Sequence, residues 1–206
     1  MSRLKYRCKH RHDGLRHPEC WRESNDTERI GFLDIEATSL NASFGYMLSY
    51  CIKRRGGEVL KRPIRPVDIK SHRFDRTLCE QFLEDLRDFD RLVTYYGTGY
   101  DIPFLRTRCL FHNLDFPPIG SIFHTDLYFS VRSKLKLHRN RLEVACDMFS
   151  IPSKGHRLTP QVWQKSQAGC EKSIAYVLQH NVEDVESLEK LWDKLHGHFR
   201  LNKTSA

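Results

Sequence analysis

The chain has 206 residues, 39% of them hydrophobic and 29% charged, and its 34 Lys plus Arg against 26 Asp plus Glu leave a formal net charge of +8. That length suits one domain with a buried core and a small appendage. The lack of an 18-residue apolar run argues against a membrane span, and the basic balance biases the chain toward polyanionic partners.

Residues 1–29 are polar and rich in His, Arg and Lys, without the apolar centre of a secretory signal, so an intracellular protein is expected. Within them, Cys8, His10, His12, His17 and Cys20 place five soft or borderline ligands in 13 residues, where the chain's 7 Cys and 11 His would supply about one by chance. Cys8, His17, Cys20 and one of His10 or His12 would satisfy a tetrahedral Zn²⁺, with His10 taken as the fourth ligand. The basic residues Arg7, Lys9, Arg11 and Arg16 would then surround the ion, as in knuckle-like nucleic-acid modules. A basic arm with incidental Cys and His, or a redox role for Cys8 and Cys20, are the alternatives. The other five cysteines (Cys51, Cys79, Cys109, Cys146 and Cys170) stand singly in apolar or helical stretches, as reduced thiols do.

The composition changes at Ile30, which sets the expected boundary between segment 1–29 and a domain over 30–200. Residues 30 to 35 read as a buried strand, Tyr46–Lys53 and Glu58–Ile64 as a hairpin about Gly56-Gly57, and Asp75–Phe89 as an amphipathic helix. Leu92–Tyr96 makes a fourth strand closed by Gly97 and Gly99. A helix opens at Asp101 with Pro103 in its first turn, Phe123–Phe129 reads as a fifth strand, and Leu142–Phe149 as a helix. Ile174, Leu178, Val182, Val185, Leu188, Trp192 and Leu195 mark a long C-terminal helix or two in tandem, and the tail Leu201–Ala206 is expected to fray. Strands followed by alternating helices and strands predict an α/β fold with a mixed sheet.

Four acids and a histidine carry the chemistry. A strand sends Asp34 and Glu36 to one face, where two carboxylates repel each other unless a cation sits between them. Their hard oxygens suit Mg²⁺ or Mn²⁺. Asp101 stands between a glycine-bearing turn and an apolar helix, a place from which an acid faces the cleft at a sheet's end. His180 and Asp184, four residues apart, share a helix face on the edge of the apolar stripe. Each has a plainer reading: Asp101 as a helix cap, His180 as a satisfied surface histidine, Asp184 as part of a solvated acidic face. It is their occurrence together, in this order, that points to a metal site.

The motifs Asp34-Ile35-Glu36, Tyr100-Asp101-Ile102-Pro103-Phe104-Leu105 and His180-Asn181-Val182-Glu183-Asp184 resemble the DEDD superfamily of 3′-to-5′ exonucleases, the proofreading group on the ribonuclease H-like fold, over about residues 30–197. The resemblance implies a ribonuclease H-like mixed sheet flanked by helices. It implies Asp34, Glu36, Asp101 and Asp184 as ligands of two Mg²⁺ or Mn²⁺ ions roughly 3.5–4 Å apart, and His180 as the residue that activates water. The family has a tyrosine four residues, or a histidine five residues, before its last acid. Here a histidine stands at the tyrosine's spacing. Thr38 and Leu40 fall where that family's residues touch the terminal nucleotide, though both are also ordinary packing and turn residues.

In the segment 132–141, Arg132, Lys134, Lys136 and Arg139 are candidates for phosphate contacts, against the plainer reading of a solvated face with Leu135 and Leu137 turned inward. Lys53-Arg54-Arg55 is a weaker candidate. The expected function is metal-dependent phosphodiester hydrolysis with nucleic acid as partner, DNA ahead of RNA and a 3′ end ahead of internal cleavage. The alternatives are an endonuclease or ribonuclease using the same site, and a nucleic-acid-binding module without catalysis. No Gly-x4-Gly-Lys-Ser/Thr loop occurs, so no nucleotide triphosphate is expected.

Overall fold

The computed structural model describes residues 4–24, 27–152, 157–198 and 204–205. A short helix α1 (Pro18–Ser24) precedes β1 (Ile30–Ala37), β2 (Met47–Arg54) and β3 (Val59–Pro63). Then come α2 (Pro66–Lys70), α3 (Arg76–Leu86), β4 (Arg91–Thr94), α4 (Asp101–Phe111) and β5 (Phe123–Asp126). The chain continues through α5 (Leu127–Lys134), α6 (Leu142–Met148), α7 (Pro160–Gln167) and α8 (Glu171–Leu195), with a two-residue strand β6 (Thr204–Ser205). The sheet order is β3-β2-β1-β4-β5-β6. β1, β2 and β3 form an antiparallel meander, β4 and β5 lie parallel to β1, and β6 pairs antiparallel with β5. This is the mixed sheet flanked by helices expected of a ribonuclease H-like fold, with the His/Cys-rich segment at its start.

Strand alternation assigns the two faces. Leu33, Ile35 and Ala37 of β1 join Leu48, Tyr50 and Ile52 of β2 in a core shared with α3 and α4. Ile30 and Phe32 point the other way, into a core with Val93 and with Val182, Val185, Leu188, Leu191 and Trp192 of α8. Asp34 and Glu36 follow Phe32 in this second set, so the strand's period alone turns both acids toward α8.

The hairpin, the helix at 76–86 and the helix opening at Asp101 occur where the sequence places them, and Gly56 supplies the left-handed turn residue of the hairpin (φ 64°). The expected strand over Phe123–Phe129 stops at Asp126. The Asp126 carboxylate accepts the Tyr128 N–H (3.1 Å), an N-terminal cap that turns the chain into α5. The C-terminal stripe is one helix of 25 residues. Helices α2 and α7 were not expected, although each opens with a proline in its first turn and Thr159 caps α7. Of the tail 201–206, only Thr204 and Ser205 lie among the described residues, and they pair with β5. Cys51, Cys79, Cys109 and Cys146 are buried free thiols, and Cys170 is half-buried.

Candidate active site

β1, β4 and β5 are parallel, so their C-terminal ends share one edge of the sheet. Asp34 and Glu36 lie near that end of β1, where a register slip between Glu36 and Ala37 bends the strand. Asp101 reaches the same edge through the tight turn after β4. There Tyr96 adopts a left-handed backbone (φ 68°), and a Cβ on Gly97 would collide with the Thr94 side chain. The Ile35 N–H donates to Asp101 Oδ1 (3.1 Å), which ties the first residue of α4 to the strand between the two acids.

α8 closes the site from the second face. His180 Nε2 stands 3.9 Å from Glu36 Oε1 and 3.9 Å from Asp184 Oδ2. One donor atom each from Glu36, His180 and Asp184 falls within 4.8 Å of the others. His180, Asp184 and Asp101 are all buried. The structure thus brings Glu36, His180 and Asp184 within ligand reach of one another, with Asp101 held beside them by the Ile35 N–H and Asp34 by Asn181, from three elements far apart in sequence.

Burial pushes the Asp101 carboxyl up to about 7, with Asp126 and Asp184 adding to the rise while the Ile35 N–H opposes it. A group of two buried and two half-buried carboxylates that repel one another fits a hard divalent cation. The donors are oxygen-rich, and positive charge would relieve both the repulsion and the cost of burial.

Two contributors carry little signal in the sequence. Asn181 is buried, donates from Nδ2 to Asp34 Oδ2 (2.5 Å) and accepts from Ser49 Oγ (3.3 Å), so it orients the first acid. Its one mark is that an Asn, a weak helix former, stands next to His180 on an apolar helix face. Asp126 accepts the N–H groups of Tyr96 (2.8 Å) and Thr98 (2.9 Å) and so holds the turn that presents Asp101.

The RNase_H_2 family profile, of the RNase H superfamily, matches residues 31–196. The chain belongs to the RNase H superfamily. RNase H-like nucleases generally use divalent metals, and their substrates are nucleic acids. Among solved structures, the family B DNA polymerase from the hyperthermophilic archaeon Pyrobaculum calidifontis is similar, with a TM-score of 0.69 at 18% identity over 82% of this chain and 24% of that one. The chain therefore spans about a quarter of that polymerase, and the likeness is one of fold. No curated protein sequence matches this RNase H superfamily member. None of its described helices is long and apolar enough to cross a membrane.

The expected substrate-binding residues fall around this edge to different degrees. Thr38 Oγ1 accepts the Tyr46 N–H (3.0 Å), and Thr38 O accepts from Gln167 Nε2 (3.4 Å), so the residue fastens the loop after β1. Leu40 is 83% exposed and lines a cleft of about 230 Å³ with Tyr100, Pro103 and Phe104, beside Asp101. Arg132 and Lys134 are exposed in the last turn of α5, about 9–12 Å along the helix axis from Asp126. Lys136 and Arg139 follow, exposed, in irregular chain, while Leu135 and Leu137 are half-buried against the second core. Lys53 and Arg54 lie at the opposite end of β1 and are engaged otherwise, Lys53 with Glu189 (3.1 Å) and Arg54 with Asp88 (2.6 Å). That end of the strand is the one away from Glu36.

Proposed function

We propose that this RNase H superfamily member is a divalent-metal-dependent 3′-to-5′ exonuclease acting on DNA, of the DEDD type, with Asp34, Glu36, Asp101 and Asp184 as ligands of two Mg²⁺ or Mn²⁺ ions. The observation that carries the reading is the convergence of the four acids and His180 at one sheet edge. Bound divalent ions would supply Lewis-acid stabilisation of the scissile phosphate and a lowered pKa for the attacking water. His180 lies between Glu36 and Asp184, a position from which it takes or orients the proton of that water. Asn181 keeps the Asp34 carboxylate aimed into the site, and Asp126 keeps Asp101 there. Leu40, Thr38 and the Tyr100 ring border the place for a terminal nucleotide. Arg132, Lys134, Lys136 and Arg139 hold the phosphates of the strand that leads to it.

The preference for DNA and for a 3′ end rests on the motif resemblance, and the similar solved structure being a DNA polymerase accords with it. Residues 30–200 are read as the nuclease domain and 1–29 as an appended segment, which the family match over 31–196 supports.

The test uses 5′-labelled single-stranded DNA, duplex DNA and RNA with Mg²⁺, Mn²⁺ or chelator, comparing the wild-type protein with Asp34→Ala. A ladder that shortens from the 3′ end, fastest on DNA and abolished by chelator and by Asp34→Ala, is expected. Discrete internal cuts would replace the exonuclease by an endonuclease, and preferential degradation of RNA would make it a ribonuclease. Binding without cleavage under every metal condition would leave only a binding module.

A further inference from the structure

Four soft or borderline donors converge away from the carboxylates. Cys8 Sγ lies 3.8 Å from His10 Nδ1 and 3.9 Å from His17 Nδ1, and Cys20 Sγ lies 3.8 Å from His17 Nδ1. One donor atom from each of these four residues falls within 4.8 Å of all the others. With Zn–S near 2.3 Å and Zn–N near 2.0–2.1 Å, tetrahedral geometry sets neighbouring donors about 3.4–3.8 Å apart. The three observed S···N separations match the upper end of that range to within about 0.1 Å, and all four donors lie within 4.8 Å of one another.

The backbone prearranges this cluster. Cys8 N donates to His12 O (3.0 Å) and Arg11 N to Cys8 O (2.8 Å), closing a tight turn with Arg11 in the left-handed region (φ 65°). That turn brings His10 back over Cys8. Asp13 Oδ1 then accepts from Leu15 N and Arg16 N, both at 3.0 Å, and starts the chain toward α1. His17 and Cys20, three residues apart at the start of that helix, share a face. Tyr6 Oη donates to Cys20 O (2.9 Å) and fastens the segment's two ends. His12 stands outside the four: it is exposed, and its ring packs on His17 with centroids 4.1 Å apart.

We propose that Cys8, His10, His17 and Cys20 bind one structural zinc ion, both histidines ligating through Nδ1. Four protein ligands close the coordination shell, the mark of a structural site, and two thiolates balance the ion's charge. A segment this short and polar cannot bury a core of its own, so metal supplies its folding free energy.

The fastened segment docks through α1. Arg22 pairs with Asp90 (2.7 Å), and Arg91 pairs with Glu23 (3.3 Å) and Glu28 (3.1 Å). Asp90 and Arg91 open β4, and Arg91 stands opposite Ile30 at the start of β1. α1 therefore sits at the end of β1 away from Glu36, about 20 Å along the strand. The zinc orders the appendage and takes no part in hydrolysis.

The full chain, grown with zinc and purified without chelator, tests this by elemental analysis. Wild type and His12→Ala are expected to carry about one zinc per chain, and Cys8→Ser, Cys20→Ser and His10→Ala below about a tenth. Asp34→Ala/Asp184→Ala should keep the zinc, which separates this site from the carboxylates. Cobalt added to the zinc-stripped wild type should give intense tetrahedral visible bands with thiolate-to-cobalt charge transfer, and Cys20→Ser should abolish them. If the cysteine variants fail to fold, wild-type cobalt spectra and His10→Ala decide the matter. Wild type with less than about a tenth of an equivalent of zinc, full zinc in Cys8→Ser, or a Cys8–Cys20 disulfide formed in the presence of zinc would overturn the assignment.

Discussion

Asp75 sits in a fully buried junction, and the fold should tolerate its loss poorly. Its carboxylate accepts from Arg108 Nη2 (2.8 Å) and Nε (2.9 Å) and from the Met47 N–H (2.8 Å), and His112 Nε2 lies 2.8 Å from Oδ1. One side chain thereby joins α3, β2 and α4, the helix that Asp101 begins. Cys79 completes an Asp75–Cys79–His112 group with metal-ligand chemistry, but the Arg108 guanidinium already occupies the carboxylate, so a second cation would meet direct repulsion. Asp75→Ala would leave a guanidinium with only 8% side-chain exposure without its counter-charge. Breaking one partner of a buried pair costs about 3–5 kcal/mol, and the orphaned Met47 N–H is part of that loss. For a protein of this size each kcal/mol is about 2–4 °C in Tm, so the melt should fall by about 6–20 °C. Thermal melts and urea denaturation followed by far-UV circular dichroism, with chelator and with Zn²⁺, measure the fall in Tm and the loss of free energy. Asp75→Ala/Arg108→Met should be more stable than the sum of the two single losses, because it removes the stranded charge. A loss below about 1 kcal/mol in Asp75→Ala, or a strong zinc dependence of the wild-type stability that Asp75→Ala alone abolishes, would refute the ion-pair account.

Three further outcomes are expected. His180→Ala should lower kcat by about 10²–10⁴ while calorimetry still detects Mn²⁺ binding, and turnover at the wild-type rate would remove His180 from the water's proton path. Replacing Arg132, Lys134, Lys136 and Arg139 together by Gln should weaken single-stranded DNA binding and flatten the plot of log affinity against log salt by about 0.7 for each phosphate no longer neutralised; an unchanged slope would place the strand elsewhere. Burial holds the His124 imidazole below its usual pKa, beside Thr94 Oγ1 at 2.9 Å. The unfolded chain therefore binds this proton first, and the stability present above pH ~6.5 is lost as pH falls toward the lower folded value. His124→Gln should remove that part of the acid sensitivity, and an identical pH–stability curve in both proteins would show that His124 contributes none of it.

Much of the site was legible locally. A two-residue period puts Asp34 and Glu36 on one face of β1 whatever surrounds the strand, and a helical period does the same for His180 and Asp184. Gly97 and Gly99 announce a tight turn before Asp101 because side chains would not fit so close to the chain. The cluster of Cys and His near the N-terminus was equally visible as composition. Local pattern did less well where a polar side chain overrode it. The apolar run Phe123–Phe129 reads as strand, yet the Asp126 carboxylate caps a helix four residues in. Composition gives no physical reason to prefer His10 over His12; the left-handed turn at Arg11 supplies one, by returning the His10 imidazole to Cys8.

The sequence by itself determined the composition of the carboxylate group and the face each acid occupies, because those follow from backbone periodicity within single elements. Tertiary structure decided what the acids meet. Packing of the α8 stripe on the second face of the sheet brings His180 to within 3.9 Å of Glu36, sets Asn181 against Asp34, and raises the Asp101 pKa by burying it near Asp126 and Asp184. Distances between elements more than 60 residues apart depend on how whole layers pack, and no local pattern records that.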